Sequence, residues 1–204
     1  MASLSPTDMT AEQALKRLMD GNRRFLRGEA RFSTVRKEIL AELAREQRPF
    51  ATILGCSDSR VPPELLFDAT FGELFVIRVA GNTLSPEVAA SLQYAGVHLQ
   101  TQLFMVLGHE GCGAINAALD TVIHGVRHHS RIAKLVKNIA PAFEGLDLSI
   151  PQSRLLPRAV EANVRHIMGR IHESPEGKVR IKEGRMKLVG GIYGLKSGRV
   201  TLLK

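Results

Sequence analysis

Apolar residues fall along the chain in two rhythms. Between residues 10 and 27 they recur at helical spacing, with Leu15, Leu18, Met19, Phe25 and Leu26 on one stripe. Thr10 followed by Gln13 makes a capping box that opens this helix, and Gly28 stops it. A second helix over 35–46 carries Ile39, Leu40 and Leu43. From residue 50 the rhythm changes to short, nearly continuous apolar runs: Phe50–Leu54, Leu74–Val79 and Leu103–Leu107. Each has the length and composition of a buried strand. Helical stretches lie between them. Pro62-Pro63-Glu64 opens a short one, and Ser85-Pro86-Glu87 supplies an N-cap and a first-turn proline for one that runs to about His98. Another begins at Cys112-Gly113-Ala114-Ile115.

Further helical segments run through Ile132–Ala142 and Ala159–Ile171, with Pro141, Pro151 and Pro157 as interruptions, and 144–157 reads as the most irregular loop. Strand patterns return at Lys187–Ile192 and Arg199–Leu203, joined by a turn at Lys196-Ser197-Gly198. Continuous apolar strands alternating with helices predict an α/β fold, a mostly parallel central sheet flanked by helices, closed by antiparallel C-terminal strands. The expectation is a single domain over 1–204, with an N-terminal helical arm at 1–48 and an α/β core at 49–204. The apolar stripes of the arm must cover the sheet or wrap a partner subunit.

Composition narrows the setting. The 204 residues are 44% hydrophobic and 24% charged, which is the balance of a globular chain rather than a disordered one. No apolar run approaches the roughly 20 residues needed to span a bilayer, so no membrane partner is expected. The N-terminus, with Ser3, Pro6, Asp8 and Glu12, lacks the basic-then-apolar order of a signal peptide, so a cytoplasmic home is expected. The net charge of +8 invites an anionic partner, but its distribution argues against nucleic acid. Residues 49–120 hold only Arg60 and Arg78 against seven acids, and the excess collects between Lys178 and Lys204, with no interleaved aromatics. A solvated basic face is the expected reading.

The two cysteines cannot make a disulfide framework, and a buried pair of small hydrophobes is their bland reading. Their neighbours change the picture. Cys56 lies in Gly55-Cys56-Ser57-Asp58-Ser59-Arg60, directly after one strand, and Cys112 in Gly108-His109-Glu110-Gly111-Cys112-Gly113, directly after another. Two parallel strands ending side by side would bring these segments to the carboxyl edge of the sheet, where open α/β sheets bind ligands. Two thiolates, an imidazole and a carboxylate then make a tetrahedral zinc set. In an extended loop Cys56, Asp58 and Arg60 share one face, so Asp58 either joins the metal or pairs with Arg60. Soft sulfur with imidazole selects zinc over magnesium or calcium.

Each segment alone is a weak signal, but the pair is recognisable. The chain resembles a β-class carbonic anhydrase over nearly its whole length, through "CSDSR", "HEGCG", "PPELLFD", "GELFVIRVAGN" and "GRMKLVGGIYGLKSGRVTLL". Gly194 departs from the pattern, standing where many members carry Asp after the Tyr. The resemblance implies one zinc per chain, held by Cys56, His109 and Cys112. Asp58 takes the fourth position in a resting form, and water takes it once Asp58 turns to Arg60. It implies reversible hydration of CO2 to bicarbonate and a proton by zinc-bound hydroxide, with Asp58 and Arg60 as the catalytic pair. Gln47, Phe75, Tyr94 and Gly113 become substrate-binding positions by the same resemblance, and the spacings of the first three match the plant-like branch associated with the open site. Read without it, Phe75 and Tyr94 are core aromatics and Gln47 a surface residue.

The resemblance also implies a homodimer or a dimer of dimers, with the site at the interface. Two alternatives remain: a hydrolase of COS or CS2 on the same zinc, and a structural-zinc protein whose basic end binds nucleic acid. His124, His128 and His129 suggest a second metal site, but no spacing fixes their geometry, and a solvated helix end is the expected reading. Glu110, beside a ligand, has no assigned role.

Overall fold

The structure is a computed structural model that describes residues 9–31, 40–41 and 43–204. Five strands form one sheet: β1 (Ala51–Gly55), β2 (Leu74–Arg78), β3 (Leu103–His109), β4 (Lys187–Tyr193) and β5 (Val200–Leu202). Their order is β2-β1-β3-β4-β5. The pairs β1–β2, β1–β3 and β3–β4 are parallel, and β5 runs antiparallel to β4. The expected α/β class and the antiparallel C-terminal strand are therefore both present.

Seven α-helices lie whole within the described residues: α1 (Ala11–Leu26), α2 (Pro63–Leu66), α3 (Pro86–Val97), α4 (Gly113–His124), α5 (Ser130–Ile139), α6 (Gln152–Glu173) and α7 (Pro175–Lys182). No helix among these residues is long and apolar enough to cross a membrane.

Strand alternation divides the core in two. Ala51, Ile53, Leu103, Met105 and Leu107 point to one face, where α1, α4 and α5 pack. Leu54, Phe104 and Val106 point to the other, against α3 and the middle of α6. Both central strands, β1 and β3, are buried along their whole length. Each fully buried Leu or Ile contributes about 1.5–3 kcal/mol, so these strands fix the height at which the loops leave the sheet.

Helix α1 begins with the expected capping box: Gln13 N donates to Thr10 Oγ1 and Thr10 N to the Gln13 side chain. It is not a free arm. Ala11, Ala14 and Leu18 join the chain's own core. Gly21 approaches the Phe67 carbonyl so closely that a Cβ would lie 1.7 Å from its oxygen. Asn22 is buried and pins three segments, donating from Nδ2 to Leu66 O and Gly198 O and accepting from Val200 N at 3.0 Å. Of the second predicted helix, Leu40 and Leu43 are helical, while Ile39 lies outside the described residues.

Two expectations need correction. Pro157 lies inside α6 rather than interrupting it, and the helix starts at Gln152. Pro157 is exposed and near the helix start, so its missing N–H leaves only the exposed Ser153 carbonyl for water. The irregular loop is correspondingly shorter, ending at Pro151. Helix α7 adds to the expected elements, and its start, Ser174-Pro175-Glu176, repeats the Ser-Pro-Glu signal that starts α3. In both helices the serine Oγ accepts from the N–H three residues on.

Candidate metal centre

Parallel register brings the two chemical segments together. Gly55 at the end of β1 pairs with Leu107 of β3, so Cys56 leaves the sheet beside Gly108 and His109. The chain turns at Gly111, in the left-handed region at φ +63°, and Cys112 then caps the N-terminus of α4. All three side chains are buried: Cys56, His109 and Cys112 are 6%, 1% and 1% exposed.

Their ligand atoms lie within 4.8 Å of one another. Both cysteines are free, with sulfurs 4.0 Å apart, far beyond the roughly 2 Å of a disulfide. Two sulfurs bound to one tetrahedral zinc at about 2.3 Å would stand about 3.8 Å apart. His109 Nδ1 donates to the Glu110 carbonyl at 2.9 Å, which leaves Nε2 as the lone-pair nitrogen. That Nε2 is buried without a hydrogen-bond partner. A soft, buried S₂N donor set with an orphaned imidazole nitrogen fits zinc. Among the described residues no other group of metal-binding side chains converges this way.

Electrostatics favour thiolate at Cys56. A hydrogen bond from Cys112 is the largest cause holding its thiol below the ordinary value, and His109 and the N–H groups of Asp58 and Gly81 add to it against burial. The same bond, with burial, pushes Cys112 up. Burial alone would lower the His109 imidazole, but the neighbouring Cys56 sulfur outweighs it and holds it above its ordinary value.

Asp58 faces this cluster with Oδ2 4.0 Å from His109 Nε2. Its carboxylate is clasped by Arg60, Nε to Oδ1 at 2.9 Å and Nη2 to Oδ2 at 2.7 Å, and Arg60 N also donates to Oδ1. That grip holds the Asp58 carboxyl well below the usual carboxylate range. Gly113, the first residue of α4, is exposed, and nothing lies within 4 Å of where its Cβ would be. Phe75 on β2 and Tyr94 on α3 form a ring pair with centroids 6.1 Å apart. Gln47 is exposed in the segment before β1 and takes part in none of these bonds.

The sequence model of the carbonic anhydrase family matches residues 51–200. The chain belongs to this family. It is 36% identical over 194 residues to carbonic anhydrase 2 of Mycobacterium tuberculosis, covering 93% of this chain and 91% of that protein. It is 33% identical to a carbonic anhydrase of Mycolicibacterium smegmatis over 193 residues, with the same coverage. Among solved structures it is similar to the β-carbonic anhydrase CcaA, with a TM-score of 0.76 and 26% identity over 93% of this chain and 87% of that one. Similarity extends to a tetrameric β-carbonic anhydrase of Sordaria macrospora, at TM-score 0.74 and 25% identity over 81% and 86% of the two chains. The chain is thus a β-class carbonic anhydrase, an enzyme that hydrates carbon dioxide.

Two residues around this carbonic anhydrase centre escape sequence reasoning. Arg78, which ends β2, donates Nε to Cys56 O at 3.0 Å and Nη2 to Asp58 O at 2.6 Å, and so holds the loop from behind. A lone arginine closing an apolar strand was the available signal. Asn163, buried on α6, reaches the turn at Gly81, and nothing in the helical pattern distinguishes it. His124 closes α4, and among the described residues neither it nor His128 nor His129 belongs to a converging ligand group. Three of the eight basic residues from Lys178 to Lys204 stand in ion pairs: Lys178 with Glu173, Arg185 with Glu183, and Lys187 with Glu12.

Proposed function

We propose that this β-carbonic anhydrase works with one zinc per chain, held by Cys56, His109 and Cys112, and that Asp58 and Arg60 form its catalytic pair. The observation that carries this reading is the closure of the three buried ligand atoms to within 4.8 Å of one another. Bound zinc supplies Lewis acidity, the capacity to make a water molecule acidic near neutral pH. The residues around it do the rest. Arg60 keeps Asp58 ionised and turned toward itself, so that Asp58 accepts a hydrogen bond from the attacking oxygen and aims it at CO2. Gly113, at the first position of α4, offers one of the helix's free N–H groups to the bicarbonate that forms.

Phe75 and Tyr94 make the apolar wall for CO2, and Gln47 donates to its oxygen. Tyr94 remains 45% exposed in the single chain, and Val97, one turn on, 50%. A second copy covering this face would complete the pocket, in a homodimer or a dimer of dimers; the similar enzyme from Sordaria macrospora is tetrameric. Two thiolate ligands suit a reducing compartment such as the cytoplasm.

Zinc K-edge X-ray absorption on the purified protein tests the ligand set. It should show two sulfurs at about 2.3 Å and a nitrogen at about 2.0–2.1 Å. Cys56→Ser should remove the metal. An all-nitrogen and oxygen shell, or full zinc in the serine variant, would overturn the assignment.

A further inference from the structure

We infer that Asn163 is a positioning residue for the metal centre, acting through Gly81 on the sulfur of Cys56. The inference rests on the reading of Cys56 as a metal ligand. Asn163 is 1% exposed, on the stretch of α6 that buries Val160, Val164 and Ile167. Its Nδ2 donates to the Gly81 carbonyl at 3.0 Å. Gly81 in turn donates its own N–H to Cys56 Sγ at 3.4 Å. Gly81 is therefore tethered on both sides, its carbonyl to a helix and its N–H to the sulfur.

The turn favours glycine. Gly81 has φ +64°, and a Cβ there would lie 3.0 Å from Ile139 Cδ1 and 3.2 Å from Ala114 Cβ. Across to α6, Gly81 is tied by the bond from Asn163. Asn163 is also an expensive residue to bury. Its Oδ1 has no hydrogen-bond partner, and neither has Nδ2 of the neighbouring Asn82. An apolar side chain of similar size would avoid that desolvation cost, so the amide is explained by the bond its Nδ2 makes.

The consequence lies in the charge on sulfur. Two thiolates donate more electron density to a metal than imidazoles would, which opposes Lewis acidity. An N–H aimed at one sulfur draws part of that density back. Asn163 sets where this N–H points without touching the metal, its ligands or the substrate.

Cobalt(II)-substituted protein reads this directly, through its sulfur-to-cobalt charge-transfer band. Asn163→Leu should move the band to longer wavelength, because a thiolate that has lost a donor is easier to oxidise. The zinc form of that variant should lose about tenfold in kcat. Asn163→Asp, with the same shape but a carboxylate facing the Gly81 carbonyl, should shift the band the same way and serves if the leucine protein does not fold. Ile167→Val, one turn along α6, should lower the melting temperature and leave the band in place. A wild-type band and wild-type kcat in the Asn163 variants would overturn the inference. A wild-type protein with no sulfur-to-cobalt band would overturn the cysteine ligation and this inference together.

Discussion

Replacing Arg78 should loosen the loop that carries both Cys56 and Asp58. The guanidinium makes two bonds there, 3.0 Å to the Cys56 carbonyl and 2.6 Å to the Asp58 carbonyl. A charged donor on a carbonyl is worth about 1.5–3 kcal/mol when fully shielded. Arg78 is only half-buried, so water can take over part of each bond. About 1 kcal/mol each, or about 2 kcal/mol together, is the reasonable magnitude. For a chain of this size that corresponds to a melting temperature lower by about 4–8 °C. If the whole loss appeared in the placement of Asp58, turnover would fall about thirtyfold, since each 1.36 kcal/mol is a factor of ten. Arg78→Ala should therefore lose between about threefold and thirtyfold in kcat while retaining its zinc. Arg78→Lys should recover part of the stability but not both bonds, because an ammonium lacks the planar fork. Stopped-flow CO2 hydration, metal analysis and thermal melts on the same preparations decide the matter. Wild-type turnover and melting temperature in Arg78→Ala would refute the reasoning.

Arg60→Ala should release Asp58 and lower kcat on the order of tenfold, with Arg60→Lys intermediate, measured by the same hydration assay. The acid side of stability follows from Asp58 and Asp68. Arg60 holds Asp58 below its ordinary value; for Asp68, burial is outweighed by Arg24 and Arg31, which hold it below its own. A depressed folded pKa means the stability is fully present above the unfolded value of about 4 and is lost as pH falls through the folded one. Melting curves should thus show a deficit for Asp68→Asn at pH 7 that shrinks toward pH 3, and a constant deficit would contradict the assignment. On association, Val97→Lys, on the exposed face beside Tyr94, should yield monomers by light scattering that hydrate CO2 poorly. A fully active monomer would remove the interface from the site.

Much of this fold is legible because strand and helix signals agree locally. The runs at 50–54, 74–79 and 103–107 are too short and too apolar for surface helices, and the first and third are each followed by a glycine and then a candidate metal-binding residue. The candidate metal cluster is legible for the same reason, since Cys56, His109 and Cys112 sit where parallel strands stop. What stayed hidden depends on tertiary placement. Pro157 reads as a breaker until its exposure near the start of α6 makes the lost bond cheap. Helix α1 reads as amphipathic either way, and only the approach of Gly21 to Phe67 and the bonds of Asn22 show that its stripe covers the chain's own core. Arg78 and Asn163 act on backbone carbonyls, which have no sequence signature. Their partners become visible only when β2 and α6 are folded against the ligand loop.

The most direct measurement is a titration of metal-free protein with zinc, followed by CO2 hydration at each step. The account predicts activity that rises in proportion to bound zinc and saturates at one ion per chain, with no recovery in Cys56→Ser or His109→Ala. Hydration independent of zinc, or full recovery in either variant, would contradict it.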